Sequence, residues 1–158
     1  MHAAQLCGML SLRPATPADA DYMLELEQRV MQDHARVLWG RFVLTQHPSA
    51  FDLANTRIAQ LDARPIGLLT VESSPDHLRL RKLYLEPHMQ GQGHGRHLLG
   101  IVQAEAAARA LPLRLSVLRP NTRALAFYLR EGLSVAEQTD ERIFLSQVPP
   151  EYRADTVL

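Results

Sequence analysis

The chain has 158 residues, of which 46% are hydrophobic, and its 17 acidic residues balance its 17 basic residues. This length predicts a single domain over residues 1–158, with peripheral ends at 1–8 and 151–158. A balanced charge argues against nucleic acid or an anionic membrane as partner, and no apolar run approaches the ~20 residues of a membrane span. Cys7 is the only cysteine, which excludes an internal disulfide. Without a signal-like start we expect a cytoplasmic protein.

Alternating apolar residues, caps and turn residues predict the secondary structure in chain order. The first strand leads to a helix that starts at Thr16-Pro17, where a capping hydroxyl precedes a proline of the first turn. A second helix is predicted over Ala35–Val43, and two more over Gly95–Ala110 and Thr122–Glu131. The predicted strands are Met9–Arg13, Thr56–Leu61, Ile66–Glu72, His77–Leu85, Arg114–Leu118, Val135–Thr139 and Arg142–Leu145. This order by itself indicates an α/β or α+β fold.

The glycine-rich turn after the fourth predicted strand is the most informative segment. Gly91, Gly93 and Gly95 occupy alternate positions, and they leave the backbone amides open to close approach by a ligand. The helix that starts here presents free N–H groups and the positive end of its dipole to the same turn. Strand, turn and helix N-terminus together predict a site for a phosphate-bearing ligand.

Two common phosphate loops do not fit the spacing. A Walker loop needs Gly-Lys-Ser/Thr at its end, whereas Gly95 is followed by Arg96 and His97. In the dinucleotide fingerprint G-x-G-x-x-G the third glycine would have to come one position later. An ordinary tight strand-to-helix turn without a ligand stays open as the alternative.

A different pattern, Q-x-x-G-x-G, fits as Gln90, Gly93 and Gly95 and follows a strand that ends in Leu-Tyr-Leu. It resembles the coenzyme A pyrophosphate loop of the GNAT superfamily of acyltransferases. Further along the chain, a second GNAT-like pattern, N-x-x-A-x-x-F-Y-x-x-x-G, follows the fifth predicted strand. It matches as Asn121, Ala124, Phe127, Tyr128 and Gly132, with Leu133 in place of the usual Phe. The resemblance extends roughly from Leu10 to Gln147.

The resemblance implies a fold and an activity. The fold would be α/β (α+β mixed), a mostly antiparallel mixed sheet flanked by helices, with splayed fourth and fifth strands. The activity would be transfer of an acyl group from acyl-CoA, most simply acetyl-CoA as co-substrate, to a primary amine of a small molecule or protein. A homodimer is also common among such proteins. The alternative is a non-catalytic acyl-CoA-binding or regulatory module.

The resemblance also assigns roles to residues. The backbones of Leu83 and Leu85 would bind the pantetheine arm. Asn121 would bind pantetheine or orient its loop, which is compatible with a helix N-cap. Tyr128 would protonate the departing thiolate, and its alternative is half-buried packing beside Phe127. The residues predicted to surround the pyrophosphate are Gln90, Gly91, Gln92, Gly93, His94, Gly95 and Arg96.

The sequence does not decide which group would deprotonate the acceptor amine. Many relatives carry a glutamate on the fourth strand, but here no carboxylate precedes Glu86 on that strand. Glu72, Glu27, Asp33 or a water chain are candidates, and each carboxylate has an ordinary surface charge as its alternative. His34 and Trp39 lie where relatives bind the acceptor. The seven histidines and one cysteine show no metal-ligand spacing, so no metal is expected.

Overall fold

The computed structural model describes residues 8–40 and 51–149. In this part of the chain three helices and seven strands form. The helices are α1 (Ala20–Trp39), α2 (His94–Ala108) and α3 (Thr122–Arg130). The strands are β1 (Leu10–Pro14), β2 (Thr56–Leu61), β3 (Arg64–Ser73), β4 (Leu78–Leu85), β5 (Leu113–Leu118), β6 (Ser134–Gln138) and β7 (Arg142–Gln147).

The strands form one sheet in the order β1-β2-β3-β4-β5-β7-β6. All neighbours are antiparallel except β4 and β5, which run parallel. The parallel pair is short, because only Leu78 and Arg79 of β4 find partners on β5. Beyond them the two strands separate. The predicted mixed, mostly antiparallel sheet with a splay between its fourth and fifth strands is confirmed.

A β-bulge lies in β4 just before the splay. Val71 of β3 pairs with Leu80 and Thr70 pairs with Lys82, so Arg81 is the extra residue. A bulge shifts the alternation of side chains by one position. Leu80 therefore packs on the α2 face of the sheet and so does Leu83, while the Lys82 side chain points to α1 on the opposite face.

Each face of the sheet carries its own hydrophobic cluster. Neighbouring residues of β2 and β3 point to opposite faces of the sheet. Ile58 and Leu68 therefore belong to one cluster, and Ala59 and Leu69 belong to the other. The α1 face contains Met23, Leu26, Phe51, Ile58 and Leu68. The α2 face contains, among others, Ala59, Leu69, Leu98, Leu99, Val102 and Leu113. The sheet is thus buried on both sides around the splay.

The prediction of a separate helix over Ala35–Val43 is wrong as far as the described residues reach. Ala35 to Trp39 continue α1, and 41–43 lie outside the described residues. No glycine or proline interrupts α1, and Ala35 is fully buried as part of its apolar stripe. Gly40 then ends the helix with φ 70°, its N–H donating to the Arg36 carbonyl.

The predicted strands and the other helices are confirmed, with strand ends shifted by at most two residues. Of the predicted peripheral ends, only Gly8 belongs to the described residues. The rest, including Cys7, lies outside them. None of the described helices is both long and apolar enough to cross a membrane.

Candidate functional site

A cavity of about 1640 Å³ runs through the splay between β4 and β5. Glu27 and His34 of α1 line one end and the glycine-rich loop lines the other, so the cavity reaches both faces of the sheet. Among the described lining residues, seven Arg and Lys side chains face three carboxylates, although the whole chain carries 17 of each sign. This local excess of positive charge suits an anionic ligand.

The β4 backbone at the splay has unpaired polar groups. Glu86 donates its N–H to the Ile66 carbonyl at 2.8 Å, and hydrogen-bonded pairs alternate with non-hydrogen-bonded ones along an antiparallel ladder. Leu83 and Leu85 therefore occupy non-hydrogen-bonded positions opposite β3. Their N–H and C=O groups point into the cavity, where β5 no longer pairs. Both residues line that cavity, as predicted for ligand-binding backbone.

The glycine-rich loop is held open by two left-handed glycines. Gly91 has φ 75° and Gly93 has φ 89°, conformations that residues with a Cβ rarely adopt. Gly93 is the N-cap of α2, and a Cβ built on it would meet nothing within 4 Å. Gly95 differs, because its Cβ would approach Leu85 at 3.6 Å and Phe127 at 3.7 Å. Gly91 and Gly93 shape the loop, whereas a Cβ on Gly95 would make only ordinary van der Waals contact with its neighbours.

Gln90 and Arg123 fasten the loop to the rest of the site. Gln90 donates through Nε2 to the Leu85 carbonyl at 3.1 Å and accepts from Arg123 Nη1 at 3.0 Å. Arg123, in the first turn of α3, was missed by the sequence reasoning. Its position in the sequence could have indicated a role, because a cation in the first turn of a helix is unfavourable next to the helix dipole unless an anion lies near it. Its Nη2 lies 3.5 Å from the position of a Cβ on Gly91.

Three predicted loop residues have other contacts. Gln92 donates to the His88 carbonyl at 2.7 Å, and neither Gln92 nor His94 lines the cavity. Arg96 lines it, but its side chain is 78% exposed and pairs with Glu131 at 3.3 Å. Glu131 is only 15% exposed, but the Arg96 guanidinium stays in water, so the pair contributes little to stability and Arg96 is available to exchange partners.

Asn121 lies at the cavity wall and caps α3. Its side-chain oxygen accepts from the Ala124 N–H at 3.2 Å. The N-cap interpretation is thereby confirmed, and it leaves the amide group beside the ligand space.

Tyr128 is packed in the core and also lines the cavity. It is 8% exposed, belongs to the core cluster with a centroid distance of 5.1 Å to Phe127, and also lines the cavity. Within residues 8–40 and 51–149 no hydrogen bond engages its hydroxyl. Burial raises the pKa of Tyr128 above that of a free phenol, so at neutral pH the group is a proton donor.

The three candidate carboxylates differ in position. Glu72 pairs with Arg81 and Asp33 is exposed, and neither lines the cavity. Glu27 is 1% exposed and lines the cavity from α1. The surface-charge interpretation is therefore wrong for Glu27. His34 also lines the cavity, whereas Trp39 does not.

No group of three or more His, Cys, Asp or Glu in the described part of the chain is arranged to hold a metal ion. The site instead joins a cationic, glycine-lined end to a polar end under α1 through the splayed strands. The chain matches the acetyltransferase (GNAT) family over residues 19–133. Since this match covers more than half of the chain, the protein belongs to the GNAT acetyltransferase family.

Solved structures with a similar fold include several acetyltransferases. The PaiA N-acetyltransferase of Thermoplasma acidophilum in complex with coenzyme A has a TM-score of 0.72 at 16% identity, covering 89% of this chain and 99% of that one. N-acetylglutamate synthase of Neisseria gonorrhoeae, complexed with coenzyme A and N-acetyl-glutamate, has a TM-score of 0.68 at 16% identity, over 89% of this chain and 35% of that one.

The ribosomal-protein-S18-alanine N-acetyltransferase of Escherichia coli has a TM-score of 0.69 at 20% identity, covering 89% of this chain and 94% of that one. At these identities the likeness shows the fold alone. No curated protein matches the chain.

Proposed function

We propose that the protein transfers an acyl group, most simply acetyl, from acyl-CoA to a primary amine of a small molecule or a protein. The observation that carries this proposal is the cavity that passes through the splay between β4 and β5. It has a cationic glycine-loop end for a phosphate-bearing co-substrate and a separate end under α1 for a second reactant. Two similar structures contain coenzyme A, which supports this co-substrate.

The co-substrate would lie along β4. The pyrophosphate would accept hydrogen bonds from the loop at Gly91 and Gly93 and from the N-terminus of α2, with Arg123 beside it. The pantetheine amides would pair with the backbone N–H and C=O of Leu83, as an added strand would, and the Leu85 carbonyl accepts from Gln90, which leaves the Leu85 N–H for the ligand. This places the thioester in the splay, where the Leu85 N–H can stabilise negative charge on the carbonyl oxygen.

The reaction would be direct attack of the amine on the thioester carbonyl carbon. The C–N bond forms, the C–S bond breaks, and the sulfur leaves as a thiolate that needs a proton. Tyr128 can donate it, because its hydroxyl is protonated at neutral pH and lies in the cavity wall.

The acceptor does not follow from the fold, since the similar proteins are named for different acceptors. We therefore propose a panel of amines with acetyl-CoA, monitored by thiol release. The panel contains polyamines, amino acids, and peptides with either a free N-terminus or a single lysine. Propionyl-CoA tests the acyl group, and mass spectrometry identifies the acylated product.

We expect thiol release that depends on at least one amine and disappears in Gly93→Asp. If coenzyme A raises the melting temperature but no amine in the panel is acylated, the non-catalytic acyl-CoA-binding module is the better description. If coenzyme A causes no shift, both proposals fail.

A further inference from the structure

A buried polar cluster lies at the α1 end of the cavity. Glu27 Oε1 is 2.8 Å from Lys82 Nζ and accepts a hydrogen bond from the Tyr84 hydroxyl at 3.2 Å. Glu27 is 1% exposed and the Lys82 side chain is 21% exposed. All three residues line the cavity. The cluster therefore combines an almost fully buried carboxylate with access to the second reactant.

Burying this carboxylate costs free energy, and the packing of α1 does not need a charged residue at this position. Removing an ion pair from water costs several kcal/mol, and hydrophobic residues of similar size often replace such a pair without loss of stability. The neighbours of Glu27 on α1, Met23 and Leu26, are apolar and fully buried. A charged group kept at this position, facing a cavity, is a candidate for function.

Geometry separates Glu27 from the other candidate bases. Glu72 pairs with Arg81 and does not line the cavity, and Asp33 is exposed. Glu27 reaches the cavity from the face of the sheet opposite to α2, whose N-terminus carries the glycine-rich loop. An amine that enters under α1 would meet Glu27 before it meets the thioester.

We propose that Glu27 is the proton acceptor for the amine, an inference that rests on the proposed function. The ammonium group would donate one proton to the Glu27 carboxylate, which later returns it to solvent. The freed nitrogen lone pair would attack the thioester carbon, and the thiolate would take the Tyr128 proton. The second amine proton would then restore the Tyr128 hydroxyl, so that N-acyl amine, free thiol and one released proton result.

The groups around Glu27 fit this role. Lys82 Nζ, at 2.8 Å from Glu27 Oε1, balances the charge of the carboxylate. The pKa of Tyr84 is raised well above its usual value, first by burial and then by the Glu27 charge, so Tyr84 donates and does not compete for the proton. Further titratable or charged groups lining the same cavity are His34, Asp52, Arg79, Arg81, Arg96, Arg123, Tyr128, Arg130, Glu131 and Arg142.

The test uses an amine from the panel and measures kcat/KM for that amine at neutral pH. Glu27→Gln should lower it by about 10²–10⁴-fold and leave the KM for acetyl-CoA unchanged. Glu72→Gln, which breaks the exposed pair with Arg81, is the matched control and should leave kcat/KM unchanged.

A double variant distinguishes an effect on folding from an effect on the reaction rate. Glu27→Gln leaves the Lys82 charge without its carboxylate and should lower the melting temperature, whereas Glu27→Gln with Lys82→Met removes both charges and should restore it. We expect the double variant to fold like the parent and remain slow.

Recovery of the rate together with the melting temperature would overturn the role of Glu27, as would an unchanged kcat/KM in Glu27→Gln. A parent that acylates no amine would end the proposed function, and this inference with it.

Discussion

The two ends of the cavity are built from different kinds of sequence. The end predicted for the cofactor comes largely from one continuous strand, turn and helix, with Gly91 and Gly93 setting the backbone. The acceptor end is assembled from distant segments, and Glu27 and Tyr84 are 57 residues apart in sequence. A co-substrate shared by a family can be bound by backbone in a short motif. The proposed second reactant would be bound by side chains that only the folded chain brings together.

This comparison predicts that substitutions at the two ends act on different quantities. Variants at the cofactor end should change acyl-CoA binding, and variants at the acceptor end should change the kinetics of the amine. The following experiments test this separation.

The largest effect is expected from Gly93→Asp. The substitution puts a side chain at φ 89° and a carboxylate where phosphate oxygens would lie. With coenzyme A at 100 times its Kd, the parent should gain about 2.7 kcal/mol, or about 5–10 °C in melting temperature. The variant should gain nothing.

Gly93→Ala is the matched control, because it introduces the same backbone strain without the charge. It should keep part of the shift. Equal shifts in the parent and in Gly93→Asp would contradict the pyrophosphate assignment.

Tyr128 lies where the two ends meet, and Tyr128→Phe keeps its packing while removing the hydroxyl. We expect kcat to fall by ten-fold or more, since general acid catalysis contributes about 10²–10⁴-fold, with acetyl-CoA affinity nearly unchanged. Steady-state kinetics and calorimetric titration measure the two quantities. Weaker binding at an unchanged kcat would mean that the hydroxyl only positions the cofactor.

A smaller effect is expected from Arg123→Met, which removes the Gln90 contact and one cation beside the loop. A hydrogen bond of this kind contributes about 0.5–1.5 kcal/mol, so acetyl-CoA affinity should weaken by about 2- to 10-fold. The Kd measured by calorimetry, with Arg130→Met as a second cavity-lining control, tests this. An unchanged Kd for Arg123→Met would show that the loop does not need this contact.

The smallest effect concerns stability at the start of α1, the helix that carries Glu27. Asp19 accepts two hydrogen bonds from the Arg13 guanidinium at 2.8 Å and one from the Thr16 N–H. The pairing with Arg13, more than any other contact, lowers the pKa of Asp19 to about 2. The unfolded chain has a value near ~3.9, so this stabilisation is present above that pH and is lost as pH falls toward 2.

Asp19→Asn should lower the free energy of unfolding by about 1–2 kcal/mol at pH 7. The difference from the parent should disappear as pH falls from about 4 to 2. Urea unfolding across this pH range measures it, with the exposed Asp21→Asn as control. A difference that persists at the lowest pH would mean that the loss of stability does not come from the charge of Asp19.

Much of the fold could be predicted because its signals are local. Alternating residues indicated each strand, and the glycines indicated the loop and the start of α2. The Gln90, Gly93 and Asn121 pattern identified the family because it fixes backbone geometry within short segments. The single long α1 was missed because an apolar stripe that continues past Ala35 can be read as one helix or two until the burial of its residues is known.

The tertiary structure decided the acceptor end. One extra residue at Arg81 shifts the side-chain alternation of β4 and turns Lys82 toward α1. The burial of Glu27 depends on packing between α1 and β4, and the contact of Arg123 with Gln90 depends on how α3 is placed beside the loop. The sequence by itself determined which backbone turns could form. Long-range packing determined which charges meet in the cavity, because side-chain contacts depend on register and placement that local propensity does not encode.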